Sequence, residues 1–96
     1  MRFVKTVRGE KTVEIEVEVS DCRIKRVVFS GDFFAYPDDV VEKLEEALKD
    51  CGSDECVGEA FKEARKALLI GVEWDVLENE VRNALKTLCS SSPAED

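Results

Sequence analysis

Histidine and glutamine are absent from these 96 residues, and asparagine occurs only at Asn79 and Asn83. Proline appears twice, and methionine, tryptophan and tyrosine once each. The lack of histidine leaves acid–base work to carboxylates, lysines, the single tyrosine or cysteines, and rules out a mixed Cys/His zinc site. Gly52 and Gly58 are too isolated to build a glycine-rich phosphate loop. No run approaches the ~18 apolar residues of a membrane span. The opening Met1-Arg2-Phe3-Val4-Lys5 lacks the apolar block of a signal peptide, so a cytoplasmic location is expected. Scarce amides beside abundant glutamate is a skew shared with heat-adapted proteins, though lineage bias produces it too.

What is present begins with charge. Twenty-two acidic residues against 14 basic ones give a net charge of −8. Such a surface repels phosphate backbones and anionic lipid, so neither nucleic acid nor a membrane is an expected partner, and a basic protein surface is. The apolar fraction of 44% suffices for one core in a chain of this length. A single domain over residues 1–89 is expected, with a frayed polar tail over 90–96.

The first half has period two. Over residues 11–19, Val13, Ile15, Val17 and Val19 alternate with Glu14, Glu16 and Glu18, the pattern of a strand with one dry and one wet face. Residues 2–7 read as the preceding strand, with Arg8-Gly9-Glu10-Lys11 as the reversal. Ser20-Asp21-Cys22 is a polar turn into a third strand over 23–30. Alternation breaks at Val27-Val28-Phe29, which predicts a bulge or a strand buried on both faces.

The second half has helical period. Val40, Val41, Leu44, Ala47 and Leu48 share one face, with Pro37 expected in the first turn and Asp38 and Asp39 at the positive end of the dipole. Cys51-Gly52 is the expected stop, with Gly52 in a left-handed conformation. Ser53 then caps a second helix, with Asp54 and Glu55 in its first turn. Its inward face is Cys56, Val57, Ala60, Phe61, Ala64 and Leu68. Ile70-Gly71-Val72 interrupts the pattern, and a last helix from Trp74 turns Leu77, Val81, Ala84, Leu85 and Leu88 inward. The fold class is α+β: an antiparallel three-stranded meander with three helices on one face, a layout similar to iron–sulfur scaffold and sulfur-acceptor proteins.

The most unusual local sequence is Phe29-Ser30-Gly31-Asp32-Phe33-Phe34-Ala35-Tyr36-Pro37, where the third strand gives way to the first helix. Two adjacent aromatics cannot both face inward on an extended segment. One therefore caps the core's end or meets a partner, while Gly31 allows close backbone approach and Asp32 bonds turn amides. Among the cysteines, Cys51 and Cys56 bracket an inter-helix turn, while Cys22 and Cys89 stand apart. Without Cys-x-x-Cys arms no metal site is expected. Cys22 and Cys56 read as small buried hydrophobes. A Cys51–Cys56 disulfide is the alternative open to a protein from a hot environment.

Ile24-x-x-Val27-x-Phe29-x-Gly31-Asp32-Phe33-Phe34, followed by a helix, resembles the C-terminal accessory domain of lipoate–protein ligases. The likeness continues through Leu48-Lys49-Asp50-Cys51-Gly52 and Leu69-Ile70-Gly71-Val72 and spans most of residues 10–88. The length is similar to that of the form in which this domain is a separate polypeptide, as in some archaeal ligases. The resemblance implies a larger catalytic subunit that binds lipoate, ATP and Mg²⁺, forms lipoyl-AMP and passes the lipoyl group to a carrier lysine. The small chain itself would hold no cofactor and no catalytic residue, and would support the activation step. Gly31, Asp32, Phe33 and Phe34 would be the corner presented to that partner, with Arg23, Lys25 or the glutamate face of the second strand as secondary contacts.

Three other readings compete. An iron–sulfur scaffold or sulfur acceptor would need Cys51 or Cys56 as a working thiol. An independent enzyme lacks a convergent set of reactive groups, since Glu14, Glu16 and Glu18 read more simply as a solvated face. A lipoylated carrier would be all-β, which the helical half opposes.

Overall fold

The computed structural model describes residues 2–8 and 11–90, with the side chain of Ser90 excepted. Three strands, β1 (Arg2–Arg8), β2 (Thr12–Ser20) and β3 (Arg23–Gly31), form an antiparallel meander in the order β1-β2-β3. The first reversal lies partly outside the described residues. The second is a two-residue turn in which Asp21 (φ 55°) and Cys22 (φ 60°) are both left-handed, the geometry whose twist matches the flanking strands.

Alternation along β2 settles the sheet's two faces. Val13, Ile15, Val17 and Val19 are buried, and Glu14, Glu16 and Glu18 lie on the other side. There Glu18 pairs across with Arg2 and Arg26, and Glu16 forms an ion pair with Arg2 at 3.3 Å. Glu16 and Glu18 therefore have basic neighbours within the sheet, while Glu14 lies between Thr6 and Ser30. The irregularity in β3 sits two residues before its expected place. Glu18 pairs with Arg26 and Val19 with Ile24, leaving Lys25 as the extra residue. That bulge restores phase: Ile24, Val27 and Phe29 all face the core, and Val27-Val28-Phe29 is ordinary alternation.

Three helices cover the dry face: α1 (Val40–Leu48), α2 (Asp54–Ala64) and α3 (Trp74–Ser90). α1 and α3 lie against the strands, and α2 packs between them. Phe61 of α2 reaches edge-to-face toward Phe29 at 6.5 Å and Trp74 at 6.4 Å, so one aromatic ladder ties sheet, α2 and α3 together. Ser53 caps α2 through its Oγ, which accepts from Cys56 N–H at 3.2 Å. Glu78 accepts from both Arg65 (2.7 Å) and Arg82 (2.6 Å), clamping α2 to α3. Burial alone would push its carboxyl up, and the two guanidinium partners outweigh that and hold it below the ordinary value.

Two expectations about α1 need correction. Pro37 precedes the helix, its carbonyl accepting from Val40 N–H, and Asp39 occupies the cap position. The helix stops at Leu48, and Asp50 (φ 68°), not Gly52, supplies the left-handed residue. Asp50 N–H donates to Ile24 O (2.7 Å) and Ile24 N–H donates to Cys51 O (2.8 Å), so the inter-helix loop is knitted to β3. The helix end is set by that tertiary pairing.

A further element lies beyond the three strands and three helices that the sequence periods predict. Phe34–Tyr36 (β4) and Leu68–Ile70 (β5) pair antiparallel in a separate two-stranded sheet. No helix among the described residues is long and apolar enough to cross a membrane.

Candidate docking surface

The molecule has two chemically distinct ends. At one, all four cysteines gather in two disulfides. Cys22 in the β2–β3 turn bonds Cys89 near the end of α3, and Cys51 bonds Cys56 across the α1–α2 corner. Cys22 is therefore exposed and covalently tied, not a buried hydrophobe, and the fully buried cysteine is Cys51. With the four sulfurs paired, no free thiol is left among the described residues for sulfur transfer.

At the other end, the strand-to-helix corner is built by backbone packing. Gly31 has φ 137°, and a Cβ there would fall directly against Thr12 O and 2.9 Å from Val13 Cα. Asp32 N–H donates to Thr12 O at 3.0 Å, while the Asp32 carboxylate is exposed and makes no turn bond among the described residues. Gly71 (φ 105°) packs on the opposite side of the same corner, where a Cβ would meet Phe33 Cα at 3.3 Å. The glycines let three backbone segments converge.

From this corner Phe33 turns partly inward onto the core, and Phe34 turns outward at 63% exposure. Ala35 and Leu69 form the inner face of the small sheet and pack on the core. Its outer face carries Phe34 opposite Ile70 and Tyr36 opposite Leu68. Of the five large hydrophobic residues exposed among the described residues, these are four, the fifth being Val4 on β1. Scattered exposed apolar side chains are ordinary. Four on one face of one element form a contiguous exposed apolar patch, the kind of surface on which contact sites are built. Trp74 Nε1–H donates to Ala67 O at 3.2 Å and anchors the start of β5 beneath this face.

The expected contact residues separate into two places. Gly31, Asp32, Phe33 and Phe34 lie together at the corner, although Gly31 acts through the backbone and only Phe34 contributes to the apolar face. Arg23 and Lys25 lie at the cysteine end of β3. Eight residues of strand, roughly 26 Å, part Arg23 from Gly31, so the two sets do not form one patch. Tyr36, Leu68 and Ile70 join Phe34 on this face although the sequence places Tyr36 only in the strand-to-helix corner, Leu68 on the inward side of a helix and Ile70 at an interruption; α2 ends at Ala64, which frees Leu68 for β5. Neither Phe34-Ala35-Tyr36 nor Leu68-Leu69-Ile70 alternates apolar with polar, so the one cue in the sequence is that each is a short run of apolar residues, most of them strand-favouring.

The profile of the family described as bacterial lipoate protein ligase C-terminus matches residues 11–70. Among solved structures, a similar chain belongs to an archaeal lipoylation system from Thermoplasma acidophilum, a bipartite lipoate protein ligase and its E2 lipoyl domain. It is 25% identical with a TM-score of 0.67, covering 88% of this chain and 94% of that one. No curated protein matches the chain. Matching residues take in β2, β3, the glycine corner, both strands of the small sheet and the first two helices. By that match the chain belongs to the lipoate–protein ligase C-terminal domain family.

Proposed function

We propose that this chain is the non-catalytic accessory half of a lipoate–protein ligase. It docks on a catalytic subunit through the outer face of the β4–β5 sheet and supports activation of lipoate to lipoyl-AMP for protein lipoylation. The carrying observation is that face: Phe34, Tyr36, Leu68 and Ile70 exposed side by side in a chain whose family and structural relative are both lipoate ligase components. ATP, Mg²⁺ and lipoate would be held by the catalytic subunit, and no residue here is assigned to bind them. What this chain contributes is a rigid apolar platform. Covering part of a partner excludes water from a reactive acyl-adenylate and orders neighbouring loops, which suits a subunit without chemistry of its own.

The test is lipoate-dependent ATP–pyrophosphate exchange by the catalytic subunit of the same organism, alone and with this chain. Exchange should rise on adding the chain. The double variant Tyr36→Ser/Leu68→Ser should keep the melting temperature and weaken the complex at least tenfold. Exchange indifferent to the chain, or a double variant that binds like the parent, would defeat the proposal.

A further inference from the structure

The apolar face of the small sheet is too small to be a whole interface. Four large side chains, between half and two thirds exposed, offer on the order of 400 Å², whereas a stable complex buries about 800 Å² on each partner. The contact must spread, and an apolar direction for it adjoins the small sheet. Tyr36 is followed by Pro37, and Leu68 is preceded by Ala67. Both Pro37 and Ala67 line a trough of about 350 Å³ between α1 and α2. Val40, Leu44, Ala47, Ala60 and Ala64 form its apolar walls.

The small residues matter here. Ala47 on α1 faces Ala60 and Ala64 on α2, so the two helices leave a recess where larger side chains would have met and closed it. The rim charges answer one another, Lys43 with Asp39 (3.4 Å) and Lys66 with Glu63 (3.4 Å). Among the described residues no lining charge of the trough is left unpaired to select a charged guest, and an apolar one fits best.

We infer that the α1–α2 trough is the second half of the same interface. It receives an apolar ridge of the ligase catalytic subunit, one or two large aliphatic or aromatic side chains, while the β4–β5 face is covered by the surface beside that ridge. This rests on the docking role proposed above and names where the contact extends. Two anchored patches, one flat and one recessed, fix orientation in a way that a flat patch does not.

Ala47 is exposed on α1, so Ala47→Trp fills the trough from outside without entering the core. With the catalytic subunit of the same organism as probe, Ala47→Trp should raise Kd at least tenfold at an unchanged melting temperature, and Ala47→Arg should do the same. In the parent chain, the methyl resonances of Ala47, Ala60 and Ala64 should shift when unlabelled catalytic subunit is added. If Tyr36→Ser/Leu68→Ser abolishes binding while both Ala47 variants bind normally and the methyls do not shift, the trough inference falls and the docking role stands. If neither set affects binding, or no complex forms, the docking role falls with it. Self-association of the isolated chain that Ala47→Trp abolishes, or methyl shifts on adding octanoate alone, would assign the trough to a second copy or to a small ligand and overturn the inference.

Discussion

Gly31 holds its place in the Gly-Asp-Phe-Phe corner through its backbone geometry alone. Its φ of 137° and the crowding by Thr12 and Val13 make it a backbone requirement, because a side chain there meets main-chain atoms that cannot move aside. Gly31→Ala is expected to destabilise the fold by roughly 2–4 kcal/mol, read as a lower midpoint in urea. A midpoint unchanged from the parent would remove the crowding argument. The Gly-Asp-Phe-Phe corner thus divides its work. Glycine turns the chain, Phe33 seals the end of the core, and Phe34 starts the exposed face. Adjacency in the sequence was enough to require the two rings to part. Which ring turns inward is a matter of tertiary packing, in which the Gly71 backbone, 38 residues on, lies close against that of Phe33.

At the scale of elements, β3 has an outer edge that another strand could pair with, and α1 guards it. The Glu45 carboxylate accepts from Phe29 N–H at 3.0 Å. Burial, which outweighs the effect of that bond, holds the Glu45 carboxyl above its ordinary value of 4.5. The folded chain therefore binds this proton more readily than the unfolded one. Ionisation of Glu45 subtracts stability as pH rises through the range above 4.5. Glu45→Gln keeps an acceptor and removes the charge. Its melting temperature at pH 7 should equal or exceed the parent's, with the difference disappearing as the pH is lowered below 4. A melting temperature lower than the parent's at pH 7 would show that the charge itself holds the edge. Nothing in the period of α1 announces this role, since Glu45 reads simply as one more solvated acid beside Glu42 and Glu46.

Over the whole molecule, the cysteine end is stapled and the opposite end carries the exposed apolar face proposed for docking. The two disulfides span very different lengths of chain, 67 and 5 residues. By loop-closure entropy, losing Cys22–Cys89 should cost about 4 kcal/mol and losing Cys51–Cys56 about 2 kcal/mol. Cys22 is exposed while Cys51 is fully buried, so reductant reaches the long staple first. Graded reduction followed by alkylation and peptide mass analysis should label Cys22 and Cys89 ahead of Cys51 and Cys56, with most of the thermal stability lost at that first step. Labelling in the reverse order, or a first step without thermal consequence, would contradict this account. Staples and contact surface lie at opposite ends, so Cys22→Ser/Cys89→Ser should lower stability and leave affinity for the partner intact wherever the chain is folded.

The meander and the helices were legible in the residue order, because period two and period 3.6 are local and burial on one face only strengthens them. Val13 to Val19 and the Ser53 cap are cases where neighbours in the chain carry the whole signal. The bulge at Lys25, the loop after α1 in which Asp50 pairs with Ile24, the small β4–β5 sheet and the Cys22–Cys89 bond each join segments far apart in sequence. A three-residue strand has no period to read until its partner lies beside it. The apolar face proposed for docking exists only because residues 34–36 and 68–70 pair, and that pairing follows from the three-dimensional course of α1 and α2, which bring the two segments to the same end of the sheet.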